Sequence, residues 1–230
     1  MEFERSKMHV KAVLFDLGGT LIRTAPIPEI YKRVLKRFGV EASSERIRKT
    51  HRVHEQEFDI AEGQLELGED FWIQWNLKVL EGAGISENRE FLARKIDELW
   101  WEHADLELYA DVRPTLEELG ARGMQLGVVT NGFKKDFEQI LERLNLTDFF
   151  DVAVGIDSCN KAKPSKEIFL YALDKMGVRP EEALFIGDSI RYDYNGAKDA
   201  GLRAYVIDRE GTTSGQFDKI RSLAELLSLI

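Results

Sequence analysis

Short apolar runs alternate along the chain with stretches whose apolar residues recur every three or four positions. The runs "VKAVLF", "MQLGVVT", "ALFIG" and "LRAYVID", with a weaker fifth, "FDVAVGI", are rich in branched and aromatic residues and bounded by glycine or polar residues. That pattern predicts parallel strands covered on both faces. Between them "RPTLEELGARG", "FKKDFEQILERLN", "SKEIFLYALDKMG" and "YNGAKDAG" predict helices. Strand and helix in alternation, with short connections, imply an α/β fold with a doubly wound, Rossmann-like parallel sheet. One long segment interrupts the alternation. From Thr24 to about Leu108 the text is helical almost throughout: "PEIYKRVLKRFG", "SSERIRKTHRVHEQEF", "EDFWIQWNLKVLEGAG" and "SENREFLARKIDELWWEH". The expectation is a core domain of residues 1–23 and 109–230, with a small all-helical domain of residues 24–108 inserted after the first strand. "RTAPIP" would lead out and "ELYADVRP" back.

Composition narrows the partners. The net charge of −9 over 230 residues argues against a broad nucleic-acid face and leaves room for a local anion pocket. A small molecule is the expected ligand of a monomer or homodimer. No apolar run is long enough to span a membrane, and "MEFERSKMHVK" lacks the apolar stretch of a secretory signal, so a cytoplasmic protein without membrane association is expected. The single cysteine, Cys159, has no partner for an internal disulfide and reads as a small apolar residue.

In an open parallel sheet, ligands sit beyond the carboxyl ends of the strands. Those ends present Asp16 and Thr20, then Thr130 and Asn131, then Lys163 ahead of a helix, then Asp188. Two neighbouring carboxylates repel unless a cation lies between them. Mg²⁺ prefers oxygen ligands and takes one or two carboxylates together with substrate oxygens. Lys163 offers a compact positive charge, and Thr130 with the following amides offers hydrogen-bond donors to a phosphoryl group. A free oxygen of Asp16 could then attack phosphorus. Signalling receivers also combine an acceptor Asp with Thr, Lys and Mg²⁺, but their acceptor lies deeper in a shorter chain without such an insertion.

"DLGGT", "VVTNG", "KAKPSKEIF" and "GDSIRYD" resemble, in order and spacing, the four motifs of the haloacid dehalogenase-like hydrolases. The resemblance spans nearly the whole core. It implies a phosphatase that hydrolyses a small phosphorylated metabolite through an aspartyl-phosphate on Asp16. It further implies that Thr130, Asn131, Gly132 and Lys163 hold the transferred group. Asp16, the Gly18 carbonyl and Asp188 would bind Mg²⁺, with Asp193 behind them. The helical insertion resembles the family's substrate-selecting cap. The same resemblance admits a 2-haloacid dehalogenase, in which the Asp attacks carbon without a metal.

The chain departs from the family pattern at Gly18, where family phosphatases carry the aspartate that protonates the leaving group. General acid catalysis is typically worth about 10²–10⁴ in rate. Three accounts follow: a leaving group that departs unprotonated, another donor such as His51, His54 or Glu55 in the insertion, or a catalytically impaired phosphate-binding or regulatory protein. Arg23, where many relatives carry an acid, is expected to make the mouth of the site more positive. His51 and His54 are expected on a solvated helix face. Trp72, Trp75, Trp100 and Trp101 are expected in the core of the insertion.

Overall fold

The structure is a computed structural model that describes residues 10–230. Most of the N-terminal stretch read above for a secretory signal lies outside them. The chain forms two compact units, one holding the chain up to Ile22 together with Leu108–Ile230, the other Arg23–Glu107.

The first unit is built on a six-stranded sheet: β1 (Ala12–Phe15), β2 (Gln125–Val129), β3 (Val152–Val154), β4 (Ala183–Gly187), β5 (Arg203–Ile207) and β6 (Lys219–Ile220). The strands lie in the order β3-β2-β1-β4-β5-β6, and every neighbouring pair is parallel. All residues of β1 and β4 are buried, as the unbroken apolar runs require of strands covered on both faces. In register, Phe15 lies between Val128 of β2 and Ile186 of β4. The winding reverses between β1 and β4, and the rim of a doubly wound sheet opens at that switch point.

Two elements here escaped the sequence reading. Strand β6 is only two residues long, and the 3₁₀ segment Leu223–Ser228 follows it. The signature of the latter was present: Ser222 accepts from the Ala224 amide, and Glu225 accepts from the backbone amide of Ser222. The expected helix in "YNGAKDAG" is a π-helical turn, Ile190–Asn195, continued by a short α-helix, Gly196–Asp199.

The second unit contains the helices Ile27–Arg37, Ser44–Glu57, Ile60–Leu67, Phe71–Gly82 and Arg89–His103. Ile60–Leu67 was not anticipated. Its start is set by Asp59, whose carboxylate accepts from the amides of Ala61 and Glu62. The helices close on Tyr31, Val34, Leu35, Ile47, Trp75, Leu80, Leu92 and Ile96. Trp75 is buried in this cluster, and Trp72 and Trp100 pack against it from partly buried positions. Trp101, with Trp100, borders a smaller cluster around Ile30. Among the described residues no helix is long and apolar enough to cross a membrane.

Candidate active site

Strand ends of the first unit deliver the polar residues to one rim. The Asp16 amide extends the ladder by donating to the Ile186 carbonyl at 2.8 Å, so the side chain of Asp16 stands where β1 stops. One strand over, Asp188 follows β4 directly. On the other side, the Thr130 amide donates to the Val154 carbonyl at 2.9 Å and holds Thr130 at the end of β2. Lys163 lies just before the helix Lys166–Met176, and Asp193 lies within the π-helical turn. That turn aims Asp193 inward: the Ser189 amide donates to Asp193 Oδ2 at 3.0 Å. The tight packing needs Gly187, since a Cβ there would sit 2.3 Å from the Asp193 carboxyl carbon.

Lys163 is the hinge of the cluster. Its Nζ donates to Asp16 Oδ1 and to Asp193 Oδ1, each at 2.6 Å, with only 3% of its side chain exposed. Asp16, Asp188 and Asp193 each offer an oxygen within 4.8 Å of the others. Three carboxylates facing one ammonium carry a surplus of two negative charges when all are ionised. Burial, added to the charges of Asp193 and Asp188, outweighs the attraction of Lys163 and raises Asp16 to about 7. Desolvation and Asp193 raise Asp188, the exposed member of the three, to about 6. Lys163 is shifted upward as well, which keeps it charged: burial alone would lower it, but the charges of Asp16 and Asp193 outweigh burial and hold it above the ordinary lysine range. A divalent cation would relieve that surplus, and the all-oxygen donor set suits a hard ion.

The loop after β1 turns sharply. Leu21 and Ile22 amides donate to the Leu17 carbonyl at 2.9 and 3.0 Å, and the Gly19 amide donates to the Ile22 carbonyl at 2.9 Å. Gly19 has φ +72°, and a Cβ on it would come within 2.2 Å of Asp188 Oδ2. Gly18 differs: it is exposed, and a Cβ on it would meet nothing within 4 Å. Thr20, fully buried, points its hydroxyl at Asp16 Oδ2 from 3.4 Å.

Asn131 is held against Lys163. Its Oδ1 accepts from the Lys163 amide at 2.7 Å and its Nδ2 donates to the Lys163 carbonyl at 3.0 Å. The Thr130 hydroxyl accepts from the Gly132 amide at 3.1 Å. Arg23, His51, His54 and Glu55 belong to the second unit. Arg23 donates to Glu107 through Nε at 3.0 Å and Nη2 at 2.7 Å, so its charge is already met. His51 and His54 do not face open solvent; both rings stand edge-on to Trp75, at 5.2 and 5.8 Å between centroids. His51 also meets Glu55 at 3.3 Å, and burial holds its pKa below the usual value despite that carboxylate. Sequence reading missed Ser189, whose hydroxyl accepts from the Tyr192 amide at 3.1 Å at the start of the π-helical turn. A serine following "GD" was its only signal.

Comparison with known proteins places the chain in a family. A model of the haloacid dehalogenase-like hydrolases matches residues 10–201. The chain belongs to that family. This hydrolase is 31% identical over 201 residues to a glyceraldehyde 3-phosphate phosphatase of Methanopyrus kandleri, covering 87% of this chain and 84% of that protein. It is 30% identical over 215 residues to the pyrophosphatase PpaX of Bacillus cereus, with the same coverage of each. Among solved structures it is similar to a HAD phosphatase from Thermococcus onnurineus, at 29% identity and TM-score 0.66, over 96% of this chain and 97% of that one. A 2-haloacid dehalogenase from Pseudomonas syringae pv. Tomato is similar over the same shares, at 26% identity and TM-score 0.70.

Proposed function

We propose that this hydrolase is a Mg²⁺-dependent phosphatase acting on a small phosphorylated metabolite, with Asp16 as nucleophile. The observation that carries the reading is the cluster itself: three carboxylates within 4.8 Å of one another, two of which, Asp16 and Asp193, are bridged by one buried lysine. The similarity to curated phosphatases supports the choice of phosphorus over carbon as the electrophile.

Asp16, the Gly18 carbonyl and Asp188 would hold the ion, with Asp193 behind them. When bound, Mg²⁺ would neutralise the crowded acids and the charge on a phosphoryl oxygen. Lys163 fixes Asp16 through Oδ1, which leaves Oδ2, touched only weakly by Thr20, to attack phosphorus. The new bond is Oδ2 to phosphorus, and the bond that breaks runs from phosphorus to the leaving oxygen. Water then attacks the aspartyl-phosphate at phosphorus, which releases phosphate and restores the carboxylate. Thr130, the Asn131 amide and Lys163 would stabilise the transferred group as charge shifts onto its oxygens, with the Gly132 amide, which donates to the Thr130 hydroxyl, holding that hydroxyl in place.

Gly18 leaves the departing oxygen without a proton from that position, which favours substrates whose leaving group departs as an anion. The open space around Gly18 makes the test clean. Phosphate release from acetyl phosphate, p-nitrophenyl phosphate and glycerol phosphates, with and without Mg²⁺, should be metal-dependent and fastest on acetyl phosphate. Gly18→Asp should speed the glycerol phosphates, within the range of about 10²–10⁴ that an acid supplies, and leave acetyl phosphate nearly unchanged. No release from any ester or anhydride would sink the phosphatase reading. Chloride release from 2-chloropropionate, unaffected by a chelator, would replace it with the dehalogenase.

A further inference from the structure

Outside the carboxylate cluster, one arginine ties the loop after β1 to two remote segments of the same unit. Arg209 stands just beyond β5. Its Nη2 donates to the Thr20 carbonyl at 2.7 Å, and its Nη1 donates to both oxygens of Asp111 at 3.1 and 3.0 Å. The guanidinium lies over the Tyr109 ring, 3.7 Å from its centroid. Asp111 is itself fixed, accepting from Ser222 Oγ and the Leu223 amide, each at 2.8 Å. Burial raises Asp111, but these donors and Arg209 outweigh it and hold the carboxyl below its ordinary range. Beside this network, the Tyr109 amide donates to the Leu21 carbonyl at 3.2 Å.

Two features separate this arginine from an ordinary surface ion pair. The side chains of Arg209 and Asp111 are 15% and 17% exposed, so solvent screens them little. Arg209 Nε is buried and makes no hydrogen bond, so the guanidinium works through its two Nη atoms, one on the Thr20 carbonyl and one on Asp111. A planar fork can serve a carboxylate and a carbonyl together, which the single ammonium of lysine cannot do in the same geometry.

We propose that Arg209 is a positioning residue for the reaction. By holding the Thr20 carbonyl it fixes the turn Leu17–Ile22 and with it the Thr20 hydroxyl beside Asp16 Oδ2. Asp111 neutralises the guanidinium, so the effect on Asp16 is geometric rather than electrostatic. The inference rests on the reading of Asp16 as nucleophile.

The test uses Arg209→Lys and Asp111→Asn in the full chain with Mg²⁺, acetyl phosphate as substrate and orthovanadate as a mimic of the transition state. In Arg209→Lys, kcat should fall at least about tenfold while KM stays within about twofold, because displacing a reacting group costs rate more than ground-state binding. Vanadate inhibition should weaken by a similar factor, and amide hydrogen exchange at Gly19, Leu21 and Ile22 should speed up. Asp111→Asn should show the same pattern at smaller size, and it carries the test if Arg209→Lys does not fold. Unchanged kcat and vanadate inhibition in folded Arg209→Lys, or in Asp111→Asn where it stands in, would overturn the proposal even if Tm falls. If Asp16→Asn retains the activity of the wild type, the reading of Asp16 has failed, and this inference falls with it. If Asp16→Asn is inactive while folded Arg209→Lys matches wild type, only the inference about Arg209 has failed.

Discussion

The two units bury different kinds of polarity. In the first, Asp16, Lys163, Asp193 and Asp208 are buried charged side chains. Among the described residues of the second, the buried polar side chains are Gln64 and Asn76, both neutral, and Asn76 is satisfied by Tyr31 and the Ala93 carbonyl. Buried charge is destabilising unless paired or met by a ligand. The first unit therefore holds acids that outnumber the ammonium among them, a surplus that a cation or protons would relieve, while the second is held by aromatic and aliphatic packing that carries no such surplus. Buried charge is concentrated in the first unit, where parallel strands end side by side.

The largest expected effect falls on the first unit. Asp16→Asn should lower metal-dependent phosphate release by at least about 10³-fold, as removal of a nucleophile does, with the fold intact by circular dichroism. Next comes Lys163→Met, which leaves three acids without their ammonium. Urea unfolding at pH 7.5 should show a loss of about 3–5 kcal/mol, the usual range for removing one partner of a buried pair. The same experiment across pH sharpens the contrast. Asp16 and Asp188 sit at about 7 and about 6 in the folded protein, against a reference value of 3.8. Between these values the folded chain holds protons that the unfolded chain has released. Their contribution to stability therefore falls as pH rises from about 4 to about 7. Mg²⁺ should raise Tm more at pH 7.5 than at pH 5, where protons compete for the same oxygens. A pH-independent Mg²⁺ shift would remove the cluster from the account.

Smaller effects distinguish neighbouring positions. Gly19→Ala, with φ +72° and Asp188 in the way, should cost about 1–3 kcal/mol in urea unfolding. In the second unit, Tyr31→Phe should cost about 1 kcal/mol by stranding the Asn76 carbonyl, with kcat on acetyl phosphate unchanged. Gly18→Ala should be smallest, within about 0.5 kcal/mol, because nothing lies near its Cβ. A large penalty at Gly18 would break the contrast with Gly19, and a loss of kcat in Tyr31→Phe would break the division between the units.

The sheet was legible because β1 and β4 are buried on both faces and read as unbroken apolar runs. Their neighbourhood at the rim followed from topology, which brings Asp16 and Asp188 to adjacent strand ends. Short elements were not legible: β6 has two residues and no period to detect, and Ile60–Leu67 begins at a cap that only its hydrogen bonds make plain. The two histidines misled because helical spacing places them on one face without saying what covers it, and Trp75 does. Arg209 and Thr20 are separated by 189 positions, and no local pattern announces a side chain that reaches a distant backbone carbonyl.

Acid-quenched turnover tests the central claim most directly. Acetyl phosphate mixed with the enzyme and Mg²⁺, stopped in acid and digested, should yield a peptide containing Asp16 heavier by one phosphoryl group. That species should be absent with a chelator and in Asp16→Asn. Phosphate released at the full rate with Asp16 never phosphorylated, or undiminished release by Asp16→Asn, would contradict it.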